Sequence, residues 1–211
     1  MFQFEYARQQ VTAVWKMATN DAVWRDQLDT SVDGVFRSGW AVLYAVLFSL
    51  AMSFFAWQSM SIADDTPKFP LFYAGKYIFV GVQTSEILIA WLANLVALTL
   101  IARNLGADGR IAQIIVGFNW AQPIVLFIQA MAYGVLAFSQ SSTLGGIVFL
   151  PALVLQVLIV WGVLRRGFER DAGTTVAIIG GILLVDILVT SAVSGLVIGL
   201  LEMTGRLDTT L

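Results

Sequence analysis

Residues 77–110 read YIFVGVQTSEILIAWLANLVALTLIARNLGADGR. From Tyr77 to Ala102 there is no Lys or Arg, and the only acid is Glu86. At about 1.5 Å of rise per residue, a helix of that length exceeds the roughly 20 apolar residues needed to cross a bilayer. The polar stretch that follows is a tight turn. Gly106 and Gly109 supply backbone freedom, Asp108 supplies turn propensity, and Arg103 and Arg110 hold the turn at a membrane surface. A turn so short sends the next apolar run, 111–138, back across the membrane.

The same criterion, applied outward from this hairpin, finds spans at about 40–60, 77–102, 111–138, 145–164 and 174–201. The expected fold is all-α, a polytopic membrane protein built as a bundle of five transmembrane helices. The second, third and fifth spans are long enough to tilt or to extend into the interfaces. Composition agrees: only 12% of the 211 residues are charged, against about a quarter in soluble domains, and mean hydropathy is +0.81. Residues 1–35 are expected to be a cytoplasmic amphipathic segment, 36–202 the five-helix domain, and 203–211 an outer-side tail.

Basic residues orient the bundle. Arg8, Lys16, Arg25, Arg37, Arg103, Arg110, Arg165, Arg166 and Arg170 fall on one side, and Lys68, Lys76 and Arg206 on the other. The positive-inside rule therefore places the amino terminus inside and the carboxyl terminus outside. Residues 61–76, with Asp64, Asp65 and two prolines, read as an ordered outer loop. The start of the chain lacks the apolar core and small-residue cleavage site of a signal peptide. Val11, Val14 and Trp15, followed by Trp24 and Leu28, predict one or two amphipathic helices lying on the inner membrane face; packing under the bundle or against a partner are the alternatives.

Several function classes are excluded. With no Cys and no His, thiol chemistry, His-based acid/base catalysis and the usual zinc ligand sets are removed, so no metal site is expected. There is no Walker loop, dinucleotide fingerprint or GxSxG motif, so neither catalysis nor a cofactor is expected. A net charge of −2 offers no basic surface to nucleic acid. The expected partners are the lipid bilayer and a second membrane protein or another copy of the chain.

Glu86 in the second span and Asp186 in the fifth fall near mid-membrane with no Lys or Arg in any span core. An acid there costs on the order of 2.5–3.5 kcal/mol on insertion scales, so both are expected to face the bundle or water as protonated acids. Glu86 shares a helix face with Asn94, and Asp186 shares one with Thr190 and Ser194. Asn119, Gln122 and Gln129 are expected on one face of the third span, with Pro123 as a hinge that frees the Asn119 carbonyl. Glu86, Asn94, Asn119, Gln122, Gln129 and Asp186 thus form a candidate intramembrane polar site. Its bland counterpart is interhelical hydrogen bonding alone. Ala41, Ala45, Ser49 and Ser53 in the first span, and Ser191, Gly195 and Gly199 in the fifth, recur every fourth residue and are expected helix-packing rows. Trp40, Trp57 and Trp161 stand near span ends as interface anchors.

The stretch ARNLGADGRIAQIIVGFNWAQPIVL, residues 102–126, resembles the Yip1-domain membrane proteins, in which a Gly-containing turn leads into a third span carrying a proline in its first half. LDTSVDGVFRSGWAVL, residues 28–43, is similar to the lead into span one of short bacterial members, and the resemblance covers roughly residues 28–200. It implies five spans and a bacterial cytoplasmic (inner) membrane, with the carboxyl terminus periplasmic. Eukaryotic members, implicated in ER and Golgi traffic and in binding Rab-type GTPases, carry a longer amino-terminal region and an acidic Tyr-Gly-Pro motif. This chain has DGVFRSGW there instead, so the trafficking role does not carry over.

The leading expectation is a non-enzymatic organising or accessory subunit of a membrane assembly, or a membrane-shaping factor. The alternative is a small proton- or cation-linked transporter or channel subunit using Glu86 and Asp186. Lipid handling by the amphipathic amino terminus is a third.

Overall fold

In the computed structural model the described residues are 4–62 and 70–205. Asp64, Asp65 and Lys68 of the expected loop, and Arg206 with the rest of the terminal tail, lie outside them. The chain runs α1 (Phe4–Thr19), α2 (Trp24–Gln27), α3 (Val32–Ser38), α4 (Ala41–Ile62), α5 (Pro70–Tyr73), α6 (Lys76–Asn104), α7 (Ile111–Ser139), α8 (Ser142–Phe168) and α9 (Ala172–Met203). The protein is an all-α membrane protein: α4 and α6 to α9 are the five helices long and apolar enough to span a bilayer, and no strand occurs among the described residues.

Local chemistry sets the helix ends. Ser31, Ser141 and Asp171 each accept the backbone N–H of the third residue onward, Gly34, Leu144 and Thr174, at 3.0, 3.3 and 3.0 Å. These bonds satisfy amides that the first helical turn leaves without a partner. At Asp171 the Thr174 hydroxyl and amide hold the carboxyl below the ordinary aspartate value. The turn after α6 forms as its glycine demands: Gly106 takes φ +65°, and Ala107 donates back to the Ala102 carbonyl at 2.7 Å.

Packing divides the spans into two tight groups. The most extensive helix contact is α4 on α7, and α8 lies along the other side of α7; α6 and α9 form a second close pair, bridged to the first group by α4. Ala41, Ala45, Ser49 and Ser53 are all fully buried. Their missing bulk lets α4 sit close to α7, with Phe48 on Phe127 and Phe55 on Phe138 flanking the seam at 5.2 and 5.5 Å between ring centroids.

The small-residue row on α9 behaves differently. Ser191 and Gly195 are exposed, and a Cβ on Gly195 or Gly199 would meet nothing within 4 Å. Among the described residues, then, no helix packs closely on Ser191 and Gly195, because α9 turns a different face to α6. Trp57 stacks on Phe72 of α5 at 5.5 Å, while Trp40 is exposed at the other end of α4.

The amino-terminal segment also departs from expectation. α1 packs across the ends of α8 and α7 instead of lying free on the membrane face. Its buried face is Ala7, Gln10, Ala13, Val14 and Met17, whereas Trp15 is 43% exposed. At the crossing point α8 presents Gly162, where an added Cβ would lie 2.4 Å from the Ala18 carbonyl oxygen. Arg166 clamps the end of α1 through the Ala18 carbonyl at 3.0 Å and Asn20 Oδ1 at 2.9 Å. Arg110 pairs with Glu169 at 2.6 Å and donates to the Phe168 carbonyl, Gln113 donates to the Gly167 carbonyl at 2.6 Å, and Arg170 donates to the Leu105 carbonyl. The basic end of the bundle is thus stitched together by side chains that satisfy open carbonyls at helix ends.

Candidate functional site

Antiparallel packing of α6 on α9 places the two intramembrane acids. Asn94 Nδ2 donates to Asp186 Oδ1 at 2.7 Å, and Ser194 Oγ donates to Glu86 Oε1. Eight residues separate Glu86 from Asn94 on α6, and eight separate Asp186 from Ser194 on α9, so these bonds are two rungs of one antiparallel ladder. The rungs lie about 12 Å apart along the helices. A second oxygen of Glu86 accepts from Gln83 Nε2, one turn away, at 3.2 Å. Glu86 and Asn94 are each 3% exposed.

Both acids face a single cavity of about 500 Å³ between the α6/α9 pair and the α7/α8 pair. The carboxyls are joined there by the amides of Gln83, Asn94, Gln122, Gln129 and Gln156, and by Thr190. The remainder of the wall is apolar, with Phe118, Leu126, Ile179 and Ile182 among the residues facing the space. Gln129 of α7 donates to Gln156 of α8 at 2.9 Å, so these two close one side of the cavity as a pair. Asn94 Oδ1 is buried with no hydrogen-bond partner among the described residues.

Of the six residues expected at the site, five line this space: Glu86, Asn94, Gln122, Gln129 and Asp186. Asn119 does not. It accepts from Trp91 Nε1 at 3.0 Å and donates to Ser38 Oγ at 2.7 Å, which in turn donates to the Val35 carbonyl. Its place is a buried junction tying α3, α6 and α7. Pro123 is buried inside α7, which continues as one helix from Ile111 to Ser139.

Sequence reasoning did not select Gln83 or Gln156. Gln83 stands one turn before Glu86, and Gln156 is the lone amide within the apolar run of α8, which is the signal that marks them. Among the described residues no lysine or arginine lines the cavity, so its charge balance there comes from acids and neutral amides.

Comparison with protein families, with characterised proteins and with solved structures finds no match to this chain.

Proposed function

We propose that this protein is a small membrane transporter or channel subunit that admits a cation to an intramembrane cavity, with Glu86 and Asp186 as its proton- or cation-binding groups. One observation carries this reading: two acids from different spans line one roomy, amide-lined cavity with no basic residue among the described residues of its wall. A purely structural pair of acids would need the two cross-helix bonds but not the space. The five spans and the basic end support a cytoplasmic-membrane protein with its amino terminus inside. The Yip1-domain resemblance adds an architecture and no activity.

The test is proton movement in vesicles reconstituted with purified protein, read by an internal pH dye while sodium, potassium or methylammonium is imposed outside. The expected result is a cation-driven pH change in excess of that in empty vesicles, where methylamine still crosses as its free base. Equal traces from protein-containing and empty vesicles for all three cations would sink the reading.

A second reading, an organising subunit, draws on the open row of Ser191, Gly195 and Gly199 on α9. Only 11% of the most apolar window of this helix is buried. Because the chain has no cysteine, Gly195→Cys introduces the only thiol. In native membranes it is expected to crosslink to a second copy or to another membrane protein. Exclusive labelling by lipid-dissolved maleimide, with no crosslinked species, would remove this reading.

A further inference from the structure

From the shape and chemistry of the same cavity we infer that its ligand is an amphipathic amine that enters sideways from the bilayer, through the gap between α8 and α9. This rests on the proposed function and deepens it.

Three observations lead to it. First, the cavity is bounded by well-packed helices on three sides, α6 on α9, α4 across α6 and α7, and α7 on α8, but α8 and α9 pack on each other far less. The lining residues on either lip of that gap are Leu153 and Val157 of α8 and Leu183 of α9, exposed by 55%, 54% and 55%. Residues that line a cavity while half exposed mark its mouth. This mouth is apolar apart from Thr190 of α9, which is also exposed, and opens at the level of the spans, where the surrounding medium is hydrocarbon.

Second, about 500 Å³ is the room that organic ligands occupy, and is far more than an inorganic ion needs. The apolar wall of Phe118, Leu126, Ile179 and Ile182 would be idle around a bare ion but would bury a hydrocarbon chain.

Third, the formal charge in the cavity wall and its one buried atom left without a partner among the described residues, Asn94 Oδ1, are those of acceptors. Amide N–H groups of Gln83, Asn94 and Gln129 already donate to Glu86, Asp186 and Gln156. Asn94 Oδ1, on a residue only 3% exposed, accepts from none of the described residues, and it belongs to the same side chain that holds Asp186. A ligand that fits these vacancies brings N–H donors and positive charge. A carboxylate or phosphate headgroup would meet two acids and no base. An alkyl chain with an ammonium head matches both the lips and the floor.

The test uses a bromine-terminated decylamine, whose heavy atom quenches tryptophan, with the protein in lipid nanodiscs. Trp91 lines the cavity, so the informative signal is the quenching that the wild type shows and Trp91→Phe lacks. Saturable quenching is expected, with the half-saturating concentration raised at least about tenfold by Asp186→Asn, a change of about 1.4 kcal/mol. Val157→Phe with Leu183→Phe, which fill the mouth without adding a tryptophan, are expected to slow or abolish it. So is a thiol-to-thiol bridge between Val157→Cys and Leu183→Cys in this cysteine-free chain. The uncharged bromodecanol is expected not to compete, and methylammonium to compete only weakly.

Methylammonium competing as well as the decylamine would overturn the amphipathic ligand. Unaltered quenching in both the plugged and the bridged variants would overturn the lateral route. If cation-driven proton movement in vesicles depends on Asp186 while the decylamine shows no Trp91-specific quenching, this inference falls and the proposed function stands. Loss of both signals removes both.

Discussion

Asp186→Asn is expected to reduce cation-driven proton movement in reconstituted vesicles at least about tenfold, while the thermal midpoint of the protein stays the same or rises. The first half follows from charge. An ammonium about 4 Å from a carboxylate gains on the order of 4 kcal/mol at an effective dielectric near 20, and even a third of that gain corresponds to a factor of ten in binding. The second half follows from shape. An amide oxygen accepts from Asn94 Nδ2 as the carboxylate oxygen does at 2.7 Å, so the rung survives. The acid's desolvation cost disappears with its charge. Glu86→Gln is expected to have a smaller effect, because both Glu86 oxygens are already held, by Ser194 and by Gln83. Paired measurements of flux and melting on the same preparations check this. Wild-type flux in Asp186→Asn would reduce the acid to a neutral tie between helices and leave the organising role on α9 as the better account.

Gly162→Val is expected to detach the amino-terminal segment from the bundle. Its Cβ would stand 2.4 Å from the Ala18 carbonyl oxygen and 2.6 Å from the Ala18 Cα, and these are backbone atoms that cannot rotate away. α1 must therefore lift, and Val14 and Met17, now fully buried, lose their contacts. Full burial of each is worth about 1.5–3 kcal/mol, so a displaced α1 forfeits several kcal/mol of docking energy. Amide hydrogen exchange over residues 4–28 is expected to accelerate on the order of a hundredfold, and trypsin is expected to cut at Arg8, Lys16 and Arg25 under conditions that spare the wild type. Gly180→Val is the control, because a Cβ there meets nothing within 4 Å. Unchanged protection in Gly162→Val would show that the α1 crossing is looser than the Gly162 contact requires.

The spans were legible because each is an apolar run bounded by turn residues and charges, and the helices extend only a few residues beyond the stretches read from the sequence. Much of the cavity wall was legible too, since acids and amides in hydrocarbon must turn inward wherever the helices meet. Asn119 was misplaced by angle. At 100° per residue, Gln122 and Gln129 lie within about 20° of each other around α7, but Asn119 lies roughly 60–80° to one side. At the edge of a cavity that offset moves a side chain to a different neighbour, here Trp91 and Ser38. The α9 row was ambiguous for another reason: every-fourth-residue small side chains look alike whether the partner is in the same chain or absent from it. In α1 the apolar residues pointed to Val11 and Trp15, but the face that docks also uses Ala7, Ala13 and a satisfied Gln10, which donates to the Gln27 carbonyl and accepts from the Asp29 amide. Small and polar residues on a buried face leave little hydrophobic signature.

The α6/α9 ladder joins residues far apart in the order of synthesis: Ser194 follows Glu86 by 108 residues, and Asp186 follows Asn94 by 92. At about 5–20 residues per second, a ribosome delivers the second half of each rung roughly 5–20 seconds after the first. During that interval Glu86 and Asn94 wait in or beside the insertion machinery without their eventual partners. α9 is therefore the helix that completes this ladder, and a chain that stops short of it carries the polar residues of α6 into the lipid uncovered.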